Sequence, residues 1–196
     1  TMDATPHTVD FGQTVALSGT IDPVAAGEHV VIETTQGDTV ASADTDAGGT
    51  FSASFQPDHN VTIHAEWNAD TSAPIDIGVH SVLTVKLSNV RLFGKASVTG
   101  TVAPAVGGSA VDVKLVLGSK TVSTTHPSMG AGGAFHTSFA IEDLGRYRAI
   151  ASFADATHLQ GIATSVSKLT PTPGLHVGSH GPSVLLLEKR LASLNY

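Results

Sequence analysis

The stretch "FGQTVALSGTIDPVAAGEHVVIE", residues 11–33, returns as "FGKASVTGTVAPAVGGSAVDVKL" at residues 93–115. Gly19 aligns with Gly100, Pro23 with Pro104 and Gly27 with Gly108, each 81 positions later. Further on, "GGTFSASF" (48–55) matches "GGAFHTSF" (132–139) at an offset of 84, and "TIHAEW" (62–67) matches "RAIASF" (148–153) at 86. A self-similarity whose offset grows slowly is one structural unit written twice, with the insertions in loops. The joint between the copies falls near "LSNVRL", residues 87–92.

Inside each copy the apolar residues alternate, the period-2 signature of a half-buried strand. Phe51, Ala53 and Phe55 share one face, with Ser52 and Ser54 on the other. Val61, Ile63, Ala65 and Trp67 point inward and leave Thr62, His64 and Glu66 outward. The second copy repeats this with Val111, Val113, Leu115 and Leu117, then with Tyr147, Ala149, Ala151 and Phe153. Short strands punctuated by Gly, Pro, Asp and Asn turns indicate an all-β sandwich or small barrel. A composition of 41% hydrophobic residues, 14% charged, 20 Gly and 9 Pro supplies both the cores and the turns.

Both units resemble the bacterial immunoglobulin-like repeats of extracellular proteins, through "LSGTIDP" and "VTGTVAP", the paired glycines before Phe51 and Phe135, and the unit length. The Cys–Trp–Cys pattern of antibody domains is absent, so Trp67 reads as a core residue. The expected organisation is two tandem immunoglobulin-like β-sandwiches at residues 1–88 and 89–170, then a C-terminal amphipathic α-helix within residues 171–196. Two prolines in "KLTPTPG", residues 168–174, mark a short stiff linker before that helix.

From Pro182 onward, apolar residues at Val184, Leu187, Leu191 and Leu194 form one helical stripe. Pro182 suits the first helical position, Gly181 or Ser179 the cap, and Lys189 and Arg190 the negative end of the helix dipole. So short a helix is marginal in water without a partner. "GSHGPSVLLLEKRLASLNY", residues 178–196, resembles the opening of the peptidoglycan-binding type 1 domain. The positions that match that family's pattern are Gly178, Ser179, Gly181, Val184, Leu187, Leu191 and Tyr196. Glu188 stands where the family has Gln, and Asn195 where it has Gly. The family's domain is a three-helix bundle, of which only the first helix is represented, so the resemblance implies a peptidoglycan partner without a complete ligand cleft.

Other chemistry finds little support. With no cysteine, a thiolate zinc site, a disulfide framework and a cysteine nucleophile are excluded within these residues. A net charge of −7 with scattered Lys and Arg gives no nucleic-acid stripe. The longest apolar run, "VLLL" at residues 184–187, is far short of a membrane helix, and the opening residues do not read as a signal peptide. Asp44, Asp46 and Gly48 echo the start of a calcium loop, but Phe55 stands where its bidentate Glu belongs. A hairpin turn explains the paired glycines in both copies. His176 and His180 precede the helix and do not share its face, and His64 and His136 read as surface residues on strands. No Gly-x-Ser-x-Gly elbow or His-Glu-x-x-His motif occurs. Glu28, Glu33, Glu66 and Glu142 lie on apparent strands or turns with no visible pairing.

The expected function is therefore non-catalytic, with no metal and no cofactor: a spacer and cell-wall targeting portion of an exported bacterial protein. In proteins with the layout this chain resembles, such modules commonly precede a peptidoglycan-remodelling domain such as an L,D-transpeptidase, whose cysteine would lie beyond Tyr196. The rival expectations are a surface adhesin or structural stalk that binds a protein or sugar, and a carbohydrate-binding sandwich of a secreted hydrolase. Aromatics at only 5% weaken the last.

Overall fold

The computed structural model describes residues 1–171 and 174–193. The chain divides into two compact units, one of Thr1–Val82 with Phe153–Gly161, the other of Leu83–Ser152 with Ile162–Tyr196.

In the first unit the strands are β1 (Met2–Thr5), β2 (Thr8–Asp10), β3 (Val15–Thr20), β4 (His29–Thr34), β5 (Thr39–Asp44), β6 (Thr50–Phe55), β7 (Val61–Trp67), β8 (Asp70–Thr71) and β9 (Ile75–His80). One sheet has the order β1-β3-β6; the other runs β2-β9-β7-β4-β5, with the short β8 on β7. The strands within each sheet are antiparallel except for β2, which lies parallel to β9. The inward residues interlock between the sheets: Val15, Leu17 and Phe51 from one, Val30, Ile32, Ile63 and Ile77 from the other, all nearly inaccessible to water. The alternation read from the sequence is the alternation of burial, and Trp67 packs at the edge of this core. The segment Phe153–Gly161 belongs to this unit because Leu159 bridges to His80 and His158 is buried with its Nε2 on the Asp58 carbonyl oxygen at 2.8 Å.

In the second unit the strands are β10 (Val82–Ser88), β11 (Lys95–Ala103), β12 (Asp112–Leu117), β13 (Lys120–Thr125), β14 (Ala134–Ala140), β15 (Arg146–Phe153), β16 (Gly161–Thr164) and β17 (Lys168–Leu169). The sheet orders are β10-β11-β14 and β13-β12-β15-β16, with β17 on β15. These repeat the first unit's three-plus-four core arrangement, the immunoglobulin and fibronectin type III sandwich. Register confirms the equivalence: Ile32 lies opposite Ala65 as Val113 lies opposite Ala151. The chain is all-β apart from α1 (Pro182–Ser193).

Three features differ from the sequence reading. The strand at Val82–Ser88 pairs with β11, so it opens the second sandwich, whereas the repeat alignment leaves it with the first. Its alternation fits either neighbour, and only its ladder partner distinguishes them. The paired glycines do not close two-stranded hairpins. They form corners where the chain passes from one sheet to the other, β5 to β6 and β13 to β14. Finally, Lys168 and Leu169 are still strand, and Thr170 is buried with its hydroxyl accepting from the Gly145 amide at 2.8 Å. The first residues of the stretch expected as linker, 168–170, thus still belong to the sandwich.

Tyr147 fixes the start of β15. Its hydroxyl donates to the Asp143 carbonyl oxygen at 3.0 Å and accepts from the Asp143 amide at 3.3 Å, the geometry of a tyrosine corner. Burial, with Asp143 and Glu142 nearby, raises the phenol above its usual value. A raised pKa means that this phenol favours the folded state below about pH 10, and that the advantage fades as pH climbs through the folded value. Tyr147→Phe is expected to cost about 1 to 2 kcal/mol at pH 7. Urea midpoints of both proteins at pH 7 and pH 11 check this: the difference should shrink at the higher pH.

Candidate functional site

Two places carry chemistry that the fold does not itself require: the C-terminal motif and the outward face of the first sandwich.

At the motif, Gly178 and Gly181 both have positive φ, 89° and 103°, where glycine has no side chain to strain. The Ser179 hydroxyl accepts from the His176 amide at 3.0 Å, closing the turn before the helix. Ser179 is therefore not the cap. The Gly181 carbonyl accepts from the amides of Val184 and Leu185, which makes Gly181 the cap and Pro182 the first helical residue. Arg190 pairs with Asp143 at 2.9 Å, and Pro182, Leu185, Leu186 and Lys189 border a shallow cavity with Phe93, Glu142 and Asp143. Helical spacing places Leu187 and Leu191 away from that contact, and they are 44% and 40% exposed. Val184, on the same stripe, is half-buried. Leu194, Asn195 and Tyr196 lie outside the described residues.

Several of the ten histidines pair with nearby carboxylates. His29 meets Asp44 at 2.8 Å, His126 meets Asp112 at 2.6 Å, and His59 meets Asp58. These pairs are largely exposed and contribute little to stability. Buried His158 meets Asp155 at 3.0 Å. Against the opposing pull of desolvation, the Thr157 amide, His158 and the Thr157 hydroxyl hold the Asp155 carboxyl below its usual range.

Asp46 resolves the calcium-loop echo. Its carboxylate accepts from the Thr50 hydroxyl at 2.5 Å, the Thr50 amide at 3.0 Å and the Gly48 amide at 2.8 Å, and these bonds hold its pKa below the ordinary value. Both oxygens are spent on the corner, and Asp44 is spent on His29.

On β4 and β7, Glu33 lies directly opposite His64, with Glu66 two residues further along the same face. The donor atoms of Glu33, His64 and Glu66 all lie within 4.8 Å of one another, and the three side chains are half-buried. The residue types were visible in the sequence; their meeting depends on the register of two strands some thirty residues apart.

No family model matches the chain, and no curated protein matches it in sequence. Among solved structures, it is similar to a two-domain fibronectin type III segment of chicken tenascin, with 12% identity and a TM-score of 0.48, over 84% of this chain and 96% of that one. A tetra-tandem repeat from the extending region of a large adhesion protein shares 20% identity at a TM-score of 0.42, over 84% of this chain and 48% of that one. The D0-D1 domain of intimin shares 14% at 0.36, over 87% and 97%. At these identities the likeness is one of fold, and the immunoglobulin-like assignment rests on the strand order and the tyrosine corner described above.

Proposed function

We propose that this chain is a non-catalytic spacer of two immunoglobulin-like modules that carries the start of a peptidoglycan-targeting element, in an exported bacterial protein of the cell wall. The observation that supports this most is the outward stripe of α1. Packing on the sandwich uses the helix face that carries Leu185 and Leu186, and leaves a second apolar stripe uncovered. Here Leu187 and Leu191 face away from Phe93 and the 142–143 turn, free to be covered by the further helices of the bundle that the motif resembles. Wall affinity combined with a spacer raises the local concentration of whatever the spacer carries.

The test is a pull-down on purified peptidoglycan sacculi, comparing this chain with one that includes the remaining helices of such a bundle. The expected outcome is retention of the longer chain and weak or no retention of this one. If neither is retained, the wall-targeting reading fails, and the chain is better read as an adhesin or stalk segment.

A further inference from the structure

We propose that Glu33, His64 and Glu66 form a three-ligand site for a divalent transition metal, with zinc the fitting ion, on the outward face of the first sandwich. Tetrahedral donors around zinc stand about 3.4 Å apart, given bond lengths of about 2.1 Å. Donor atoms already within 4.8 Å of one another reach that spacing by small side-chain rotations. One imidazole with two carboxylates suits a borderline cation, whereas calcium seeks six to eight oxygens. Three protein ligands leave a coordination position open for water or for a donor from a partner.

Three further observations support the site. Among the described residues, no Lys or Arg pairs with Glu33 or Glu66, so two neighbouring carboxylates stand without a cation. The Thr39 hydroxyl donates to Glu33 Oε1 at 3.2 Å, an outer bond of the kind that orients metal-ligating carboxylates. Thr39 lies opposite Glu33 beside a register shift between β4 and β5, and such bulges re-aim side chains. The second sandwich supplies an internal control. There the same three positions hold Lys114, opposite Ile150, and Ser152. The fold forms without the triad, so these residues are not demanded by the sheet.

Calorimetric titration of the metal-free full chain with zinc chloride tests the proposal, alongside His64→Ala, Glu33→Gln and the control His29→Ala, with circular dichroism confirming that each is folded. One zinc per chain is expected, weakened at least about tenfold by either ligand substitution and unchanged by the control. The isosteric Glu33→Gln keeps the test sound if His64→Ala disturbs the sheet. Absence of zinc binding, binding that survives both ligand substitutions, or calcium bound as tightly as zinc would overturn it.

Discussion

Gly100→Val is expected to destabilise the second sandwich by about 3 kcal/mol or more, because the position has no room for any side chain. A Cβ there would sit 2.2 Å from the Thr84 carbonyl oxygen and 2.4 Å from Cζ of Phe135. Gly100 lies opposite Phe135 in the ladder of β11 and β14, and the phenyl ring folds across it as the side chain the glycine lacks. The ring cannot retreat, since Phe135 is only 4% exposed. The first sandwich contains the same device: Gly19 opposite Phe51, with the Thr1 carbonyl oxygen at 2.2 Å and the ring at 2.4 Å. Gly132→Ala serves as the control. Nothing lies within 4 Å of its added Cβ, and its effect should stay within about 0.5 kcal/mol. Urea denaturation checks the pair, and equal losses at Gly100 and Gly132 would refute the steric account. In a Phe135→Ala background the cost of Gly100→Val should be smaller, because the two residues are in contact.

Ile32→Ala should cost the first sandwich about 3 to 5 kcal/mol, toward the upper end for such truncations. Ile32 is fully buried, and its partners across the ladders are Ala65 and Ala41, which are too small to collapse into the space left behind. Ile32→Val should cost only about 0.5 to 1.5 kcal/mol, and the second sandwich already places Val113 at the equivalent position. The measurement is the denaturant midpoint of the first unit's transition. A loss below about 1 kcal/mol for the alanine variant would mean that the core repacks around it.

The sequence was legible wherever the information was local. Period-2 alternation reports which side chains are buried, and Ile63, Ala65, Val113, Leu115, Ala149 and Ala151 are buried as their spacing requires. The helix was legible for the same reason, down to Pro182 at its first position. Its cap was not, because Gly181 and Ser179 both suit a cap in isolation. The choice depended on which carbonyl and hydroxyl the folded turn presented to the helix amides.

The strand at Val82–Ser88 and the glycine corners were ambiguous for a related reason. A strand's pattern states which face is wet but not which strand lies beside it, and a Gly-rich turn can either reverse within a sheet or cross between sheets. The Gly–Phe pairs and the Glu33–His64–Glu66 cluster join residues some thirty or more positions apart in the chain.

The sequence by itself determined that this protein is a repeated all-β unit with two cores, followed by a short amphipathic helix, because burial and helix periodicity are written along the chain. The tertiary structure alone decided which strand opens the second sandwich, which face of the helix stays exposed, and that two glutamates meet a histidine. These depend on register and packing, in which hydrogen bonds and contacts between remote residues choose among arrangements that local pattern leaves equivalent.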